Sequence, residues 1–228
     1  MNLIDAEQAI RSCFLFSDAR AEDIKALANA SFTVNHHKGE ELFMAGDPAD
    51  GLRVVLSGLV RIWVADSEGQ ELTLTLLEDG DPFGEIALLD GLTRTANATS
   101  LESTKCLFLP SSAVEPIMAR DPALALHVIR LLCELLRRNT ETVSDFAFRG
   151  LRERLAQKLN ELAMTHALLE NGEARFQRKF SQSDLAQMLG VTREAVNKRF
   201  KALIHDGIVQ TIDGYIVIPD LKALKNQA

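Results

Sequence analysis

The arrangement of hydrophobic and polar positions divides the chain into three regions. Residues 5–30 carry two short helical patterns, Ala6–Cys13 and Ala21–Ala30. Between Phe32 and Pro110 the apolar positions fall in short alternating or β-branched runs that turn residues separate. Eight of the chain's 13 glycines lie between Gly39 and Gly91. This pattern predicts an all-β roll or sandwich for the second region.

A long helix is predicted after the β-rich region. Prolines stand at positions 116 and 122 and then not again before 219, and the segment Pro122–Phe148 has apolar residues at helical spacing. Two adjacent apolar stripes follow the 4-3-4 spacing of a coiled-coil seam. The helix would be about 40 Å long, so we expect one stripe to pack on the β-roll and the other on a second copy in a homodimer. The alternative is one wide stripe packed only on its own domain. The stripes consist of Leu124, Val128, Leu131 and Leu135, and of Ala125, Ile129, Leu132 and Leu136.

The last 80 residues have the pattern of a winged helix. An amphipathic helix over 151–169 and a short strand over 176–180 come first. Ser181 and Asp184 then form a capping-box-like start for a helix through Leu189. Gly190 ends that helix, and Thr192 caps a second one that runs from Arg193 to about His205. Two helices joined by a short turn with glycine indicate a helix-turn-helix. The following pair of strands about Asp213 and Gly214 indicates a hairpin wing.

The second of these helices begins with side chains that suit base edges. Arg193 can bind guanine O6 and N7 together, Glu194 can accept from cytosine N4, and Lys198 can reach another guanine from the same face. Arg199 and Lys201 suit phosphates. The alternative is an ordinary solvated charged face. The residues expected to contact DNA are Ser181, Thr192, Arg193, Glu194, Asn197, Lys198 and Arg199.

Composition and charge narrow the class of protein. The 228 residues carry a net charge of −7 and 46% hydrophobic residues, which supports a folded core. Residues 149–228 contain 13 Lys and Arg against 9 Asp and Glu, whereas the preceding residues are strongly acidic. A basic module behind an acidic domain indicates nucleic-acid binding by the C-terminal part.

The sequence contains no signal for export, membrane insertion or metal binding. No run of about 18 apolar residues occurs, and the first residues lack the apolar region of a signal peptide. The three cysteines, Cys13, Cys106 and Cys133, form no CxxC pair and no metal-ligand cluster. We therefore expect a reduced, cytoplasmic protein.

One stretch of the β-rich region is distinguished by its charges. The segment "FGEIALLDGLTRTA", Phe83–Ala96, sets Glu85 and Arg94 among small and apolar residues, with Gly84 and Gly91 around them. The two charges could form a structural ion pair within the roll. The glycine at position 84 would also permit close approach of the backbone to a ligand.

This stretch resembles the phosphate-binding cassette of cyclic-nucleotide-binding domains, and "VTREAVNKRF" resembles the recognition helix of the Crp–Fnr superfamily of bacterial transcription regulators. The order of β-roll, long helix and winged helix is that of the superfamily. The resemblance implies an α+β fold with a jelly-roll-like cyclic-nucleotide-binding domain over 1–121, a dimerisation helix over 122–148 and a winged helix-turn-helix over 149–228. It also implies a homodimer that is not an enzyme, works with RNA polymerase and binds a palindromic TGTGA-like site when a nucleotide repositions its recognition helices. Discrimination at one guanine should be weaker, because Lys198 stands where the family has arginine.

The same resemblance assigns roles to the cassette. Arg94 and Thr95 would bind the cyclic phosphate, and Glu85 would accept from the ribose 2′-hydroxyl. The N–H groups of the helical turn after Gly84 would also favour a phosphate. Two polar residues of the long helix, Asn139 and Thr140, would contact the base of the nucleotide, one of them from the other subunit. The full expected set is Gly84, Glu85, Ile86, Ala87, Arg94, Thr95, Asn139 and Thr140.

Two positions bear on the identity of the base. Asn139 stands where the resemblance implies a hydroxyl residue, and its amide can serve an adenine amino group or a guanine carbonyl. Thr95 stands where bacterial cAMP receptors have serine, and threonine at this position accompanies cGMP in cyclic-nucleotide kinases. We expect cAMP as the allosteric ligand and keep cGMP as the alternative.

Two rival interpretations differ in what the β-roll would bind. An iron–sulfur sensor of the same superfamily would need a cysteine cluster, which Cys13 alone does not supply; a haem sensor would leave Glu85 and Arg94 without a role. A cupin-type metalloenzyme would need several histidines from neighbouring strands. His36 and His37 are adjacent and would point to opposite faces of a strand, and the winged helix would have no explanation.

Overall fold

The computed structural model describes residues 3–227, and the chain divides into two compact units. The first unit comprises Met1–Ala65 and Thr73–Arg137, and the second comprises Asp66–Leu72 and Arg138–Ala228. The predicted α+β fold class, with a β-roll, a long helix and a helix-turn-helix, is confirmed. The domain limits given above stay a prediction.

The first unit combines helices at its start with an eight-stranded roll. Helices α1 and α2 are separated by a short 3₁₀ turn, and a six-residue helix, α3, interrupts the strands. The helices are α1 (Leu3–Ser12), α2 (Ala21–Ala30), α3 (Glu85–Asp90) and α4 (Ser111–Arg120). The strands are β1 (Phe32–His36), β2 (Glu41–Phe43), β3 (Gly51–Ser57), β4 (Val60–Ala65), β5 (Glu71–Leu77), β6 (Pro82–Phe83), β7 (Asn97–Ser100) and β8 (Thr104–Pro110).

The strands of the roll form two four-stranded sheets, in the orders β1-β8-β3-β6 and β2-β7-β4-β5. Side chains of β3 enter two hydrophobic cores, because successive residues of a strand point to opposite faces of the sheet. Leu52 and Val54 are fully buried in the cluster that also contains residues of α1, α2 and α4. Val55 is buried in a second cluster with Phe83 of β6 and Ala98 of β7, which lies inside the roll.

The long helix α5 runs over Pro122–Phe148, as the proline positions and the apolar spacing predicted. Its first turn is capped by the buried carboxylate of Asp121, which accepts from the backbone N–H groups of Ala123 at 3.0 Å and Leu124 at 3.2 Å. Leu124 and Val128 are buried in the helical core of the first unit. Leu131 and Leu132 are partly buried against the same core. Other apolar side chains of the helix are exposed, among them Leu126 at 48%, Ile129 at 54% and Val143 at 68%.

The second unit contains the end of α5 and a helical core with a small sheet in the order β11-β12-β10-β9. Apolar residues of α6, α7 and α8 are buried in it, among them Leu159, Leu185 and Phe200. The elements are α6 (Leu151–His166), β9 (Ala167–Glu170), β10 (Glu173–Phe176), α7 (Gln182–Leu189), α8 (Arg193–His205), β11 (Gln210–Ile212), β12 (Tyr215–Ile218) and α9 (Leu221–Lys225).

The strand predicted over 176–180 is wrong in its limits. The helix before it ends at His166, and a hairpin of β9 and β10 occupies 167–176 instead. Its turn places Asn171 at φ 51° and Gly172 at φ 88°, the left-handed pair that an Asn-Gly turn supplies. The dipeptide was a readable signal, but the helical spacing that continued through residues 167–169 obscured it.

Candidate functional site

The cassette of the first unit is a strand–turn–helix segment with glycines at both ends of α3. Gly84 follows β6 at φ 82°, and Gly91 ends α3 at φ 71°. Both conformations lie in the left-handed region that favours glycine. A Cβ atom on Gly84 would lie 2.5 Å from Nη1 of Arg94, whereas one on Gly91 would meet no described residue within 4 Å. The first glycine is therefore required by the arginine as well as by the backbone.

Arg94 lies almost entirely inside the roll, with 1% of its side chain exposed. Its Nη1 donates to the carbonyl oxygen of Gly84 at 2.6 Å. Its Nη2 donates to Oδ1 of Asp50 at 2.5 Å and to the carbonyl oxygen of Gly51 at 2.7 Å. The guanidinium carbon also lies 4.5 Å from the ring centroid of Phe43. These contacts fix the charged group in one orientation.

Three of the five N–H donors of this guanidinium have acceptors, and Nε–H is not one of them. Nε of Arg94 is buried and makes no hydrogen bond within the part of the chain that the structure describes. Burial lowers the pKa of Arg94, and the pairing with Asp50 acts in the opposite direction. A buried N–H without an acceptor is costly, so the site favours an anionic or polar group that accepts from it.

The other cassette residues surround the arginine with different exposure. Glu85 begins α3 and is partly buried; burial raises its pKa, while its own backbone N–H and the charge of Arg94 act to lower it. Ala87 is buried, Ile86 is 37% exposed, and Thr95 is exposed directly after Arg94. The structure therefore places Gly84 in contact with Arg94 and brings Glu85 close enough for the two charges to interact.

Two charged residues of this site were missed in the sequence. Asp50 accepts from Arg94 and from Arg53, whose Nη1 and Nη2 donate to Oδ1 at 3.3 Å and Oδ2 at 3.0 Å. Arg53 lies on β3, and its guanidinium carbon is 4.8 Å from the ring centroid of Phe108. The signal available in the sequence was a single arginine within the apolar run "GLRVVL", which a buried strand does not tolerate without a partner.

The predicted base-contacting residues lie on α5. Asn139 and Thr140 are both exposed on that helix and belong to the second unit. The exposed seam of the helix follows positions 126, 129, 133, 136, 140 and 143, which is the alternating 3-4 spacing of a coiled coil. Thr140 lies in that seam, and Asn139 lies beside it.

The helix-turn-helix is built as the caps predicted. Ser181 Oγ accepts from the backbone N–H of Asp184 at 3.1 Å, and the Asp184 carboxylate accepts from the Ser181 N–H at 2.7 Å. Gly190 ends α7 at φ 61°. Thr192 Oγ1 accepts from the N–H of Ala195 at 3.3 Å and caps α8. The three-residue turn between the helices fixes where the first turn of α8 is presented.

The exposed face of α8 carries the charges. Arg193, Glu194, Lys198 and Arg199 are exposed, while Val196 and two further apolar residues of the helix, Phe200 and Leu203, are buried. Asn197 is partly buried, and its Oδ1 makes no hydrogen bond with any of residues 3–227. Of the residues predicted to contact DNA, those from Thr192 to Arg199 lie at the cap or in the first half of α8, and Ser181 caps α7 instead.

The wing is the hairpin of β11 and β12. Asp213 at φ 53° and Gly214 at φ 82° form its turn, as the dipeptide predicted. Nζ of Lys179 lies 4.8 Å from the ring centroid of Tyr215, at the start of β12. A cation is therefore held at the tip of the wing in the same unit as α8.

Residues 3–227 hold neither a metal cluster nor a membrane-spanning helix. No group of three or more His, Cys, Asp or Glu side chains in this part of the chain is arranged to hold a metal ion. None of its helices has the length and apolar character needed to cross a membrane.

Comparison with known proteins agrees with both halves of this geometry. Residues 33–121 match the cyclic nucleotide-binding domain, and residues 153–227 match the Crp-like helix-turn-helix domain. A cyclic AMP receptor protein of Thermus thermophilus is 31% identical over 84% of this chain and 85% of its own length. A CRP-like cAMP-activated global transcriptional regulator of Mycobacterium tuberculosis is 28% identical over 94% of this chain and 96% of its own length. The crystal structure of a CRP/FNR-family transcriptional regulator of T. thermophilus, 31% identical, superposes with a TM-score of 0.69 over 86% of this chain and 98% of that one.

Proposed function

Because the chain belongs to the Crp–Fnr superfamily of cyclic-nucleotide-responsive transcription regulators, we propose that it is a homodimeric, cAMP-responsive regulator that binds a palindromic TGTGA-like site. Its relatives are transcription regulators and not enzymes. Residues 1–121 would bind the nucleotide, 122–148 would form the dimer, and 149–228 would bind DNA in the cytoplasm together with RNA polymerase.

The observation that carries the ligand proposal is the state of Arg94. Its guanidinium is buried, fixed by four contacts and left with an unpaired Nε. A phosphate that accepts from Arg94, with Thr95 Oγ1 as a further donor, would satisfy this group. Glu85 would accept from the ribose 2′-hydroxyl, and the backbone at Gly84, Ile86 and Ala87 would pack against the phosphate.

Helix α5 supports the proposed dimer and the proposed contacts to the nucleotide base. Exposed apolar residues at coiled-coil spacing support a second copy as the partner of this helix. Asn139 and Thr140 would then contact the base, one of them across the dimer. The Asn139 amide suits adenine or guanine, so cGMP is the second candidate, and Thr95 in place of serine is the feature that favours it.

The DNA interface is proposed from α8. Arg193, Glu194 and Lys198 would contact base edges, with Asn197 beside them, while Arg199 and the caps Ser181 and Thr192 would contact the phosphate backbone. In a dimer, two copies of α8 would enter successive major grooves about 34 Å apart. Nucleotide binding would favour this spacing through α5.

Calorimetric titration of the full-length protein with cAMP and with cGMP tests the ligand. We expect binding of cAMP in the micromolar range and weaker binding of cGMP; the reverse order would favour the second candidate. Fluorescence anisotropy with a palindromic TGTGA duplex, with and without the nucleotide, tests the regulation. If Arg94→Leu bound nucleotide and duplex as wild type does, the proposed function would be wrong.

A further inference from the structure

The roll holds a second arginine beside the cassette. Arg53 lies on β3 on the same face as Val55, so it points into the interior of the roll. Only 11% of its side chain is exposed. Arg53 and Arg94 contact the same carboxylate, that of Asp50, and the same aromatic ring, that of Phe43. Two cations thus share one anion.

The hydrogen bonds of Arg94 leave no free pair of donors for a phosphate. A guanidinium binds an oxyanion in two-point fashion through Nε with Nη2 or through Nη1 with Nη2. Both pairs include Nη2, and both hydrogens of Nη2 are engaged, one by Asp50 at 2.5 Å and one by the carbonyl of Gly51 at 2.7 Å. A phosphate that binds Arg94 at two points must therefore displace one of these acceptors.

Asp50 is the acceptor that can leave. Gly51 is buried in the backbone of β3 and pairs with Pro110 of β8, so its carbonyl is fixed. The side chain of Asp50 is 54% exposed and precedes the strand. Both of its oxygens already accept from Arg53, so the carboxylate has a second cation beside it when it leaves the first.

The aromatic rings hold the two guanidinium groups in place. The guanidinium carbon of Arg53 lies 4.8 Å from the ring centroid of Phe108 and 5.5 Å from that of Phe43. Arg94 lies over Phe43 at 4.5 Å. Because such contacts favour a fixed cation, the carboxylate between the two arginines is the part of the cluster that moves at lowest cost.

We propose that Asp50 competes with the nucleotide phosphate for Arg94 and that Arg53 receives Asp50 when the phosphate binds. Arg53 is then a positioning residue that sets the affinity of the site for an anionic ligand. This inference rests on the proposed binding of a cyclic nucleotide by the cassette. The pKa of Asp50 agrees with the pairing: its partial burial acts to raise the pKa, but Arg53 and Arg94 lower it.

Titration calorimetry of full-length Asp50→Asn, Arg53→Met and the double variant with cAMP and cGMP tests this exchange. Asp50→Asn removes the competing charge at nearly constant shape, so we expect nucleotide affinity to rise about 5-fold. Arg53→Met leaves Asp50 to Arg94 alone, so we expect affinity to fall about 10-fold in the wild-type background and less than about 2-fold in the Asp50→Asn background. Glu41→Gln, which removes an exposed charge from β2, is the matched control and should bind as wild type does.

Stability separates competition from a purely structural role. Asp50→Asn removes an ion pair, so the free protein should unfold at lower urea concentration although it binds nucleotide more tightly. A structural role would lower stability and affinity together and would overturn the proposal. Arg53→Lys should recover part of the affinity, because it keeps the charge and loses the two-point geometry.

The outcomes also distinguish this proposal from the proposed function. Binding to wild type with equal or weaker binding to Asp50→Asn would overturn the exchange and leave the function standing. An equal loss from Arg53→Met in both backgrounds would mean that Arg53 contacts the phosphate directly and would also overturn it. Binding only to Asp50→Asn would support the exchange, and no binding to any variant would refute both proposals.

Discussion

Replacing Gly84 by alanine tests whether the cassette glycine exists for the arginine. The added Cβ would lie 2.5 Å from Nη1 and 3.3 Å from Cζ of Arg94. These distances are too short for van der Waals contact, and the guanidinium is buried and held by hydrogen bonds to Asp50 and to the carbonyl of Gly51. Gly84→Ala should therefore displace Arg94 from its acceptors.

The magnitude follows from two contributions. A non-glycine residue in the left-handed region costs about 1–2 kcal/mol. Displacing Arg94 also disturbs its bond to the Gly84 carbonyl at 2.6 Å, and a hydrogen bond to a charged group contributes about 1.5–3 kcal/mol. We expect Gly84→Ala to lose about 2.5–5 kcal/mol of unfolding free energy in total.

Gly91→Ala is the matched control. Gly91 ends the same helix at φ 71°, but a Cβ there would have no atom of residues 3–227 within 4 Å. Gly91→Ala should therefore lose only the about 1–2 kcal/mol of unfolding free energy that a non-glycine residue costs in the left-handed region. Urea unfolding followed by fluorescence reports on the roll, because Trp63, the chain's single tryptophan, lies on β4.

The same pair of variants separates stability from binding. Gly84→Ala should bind cyclic nucleotide at least about 10-fold more weakly than Gly91→Ala, because 1.4 kcal/mol corresponds to one decade of affinity. If the two variants lost equal stability and bound nucleotide equally, the contact between Gly84 and Arg94 would not be what requires glycine.

Three further predictions concern other parts of the molecule. Burial raises the pKa of Glu85, so the folded protein binds the proton of this carboxyl more tightly than the unfolded chain does, and ionisation of Glu85 lowers the stability as pH rises. In urea unfolding at pH 7, Glu85→Gln should therefore be at least as stable as wild type. The difference in stability between the two proteins should vanish at a pH below the ordinary pKa range of carboxyl groups. Asp121→Ala should lose about 1–2 kcal/mol of stability in the same assay, because the buried carboxylate caps α5. In anisotropy titrations, Arg193→Ala should weaken binding to a TGTGA duplex by about 1–3 kcal/mol. The loss should be much smaller on a duplex in which the guanine that Arg193 contacts is replaced. An equal loss of affinity on both duplexes would mean that Arg193 contacts phosphates.

Local signals in the sequence were sufficient for most elements. The capping pair Ser181 and Asp184, the terminating Gly190 and the Asp213–Gly214 turn each act within a few residues, so the helices and the wing followed from short-range chemistry. The hairpin over 167–176 was missed because its Asn-Gly turn competed with a helical pattern that runs on from α6. In this segment, pairing of β10 with β12 in the sheet stabilises the hairpin instead of a longer helix.

The sequence by itself determined the order of the β-roll, long helix and winged helix, and it placed Glu85 and Arg94 in one cassette. Only the tertiary structure decided what surrounds that arginine. Asp50 and Arg53 lie more than 40 positions before Arg94 in the chain and reach it because β3 runs beside β6 in the same sheet. Periodicity and turn signals describe residues that are close in the sequence, and they do not report a pairing between residues that only the fold brings together. For that reason the contact between Asp50 and Arg94 could not be predicted from the sequence.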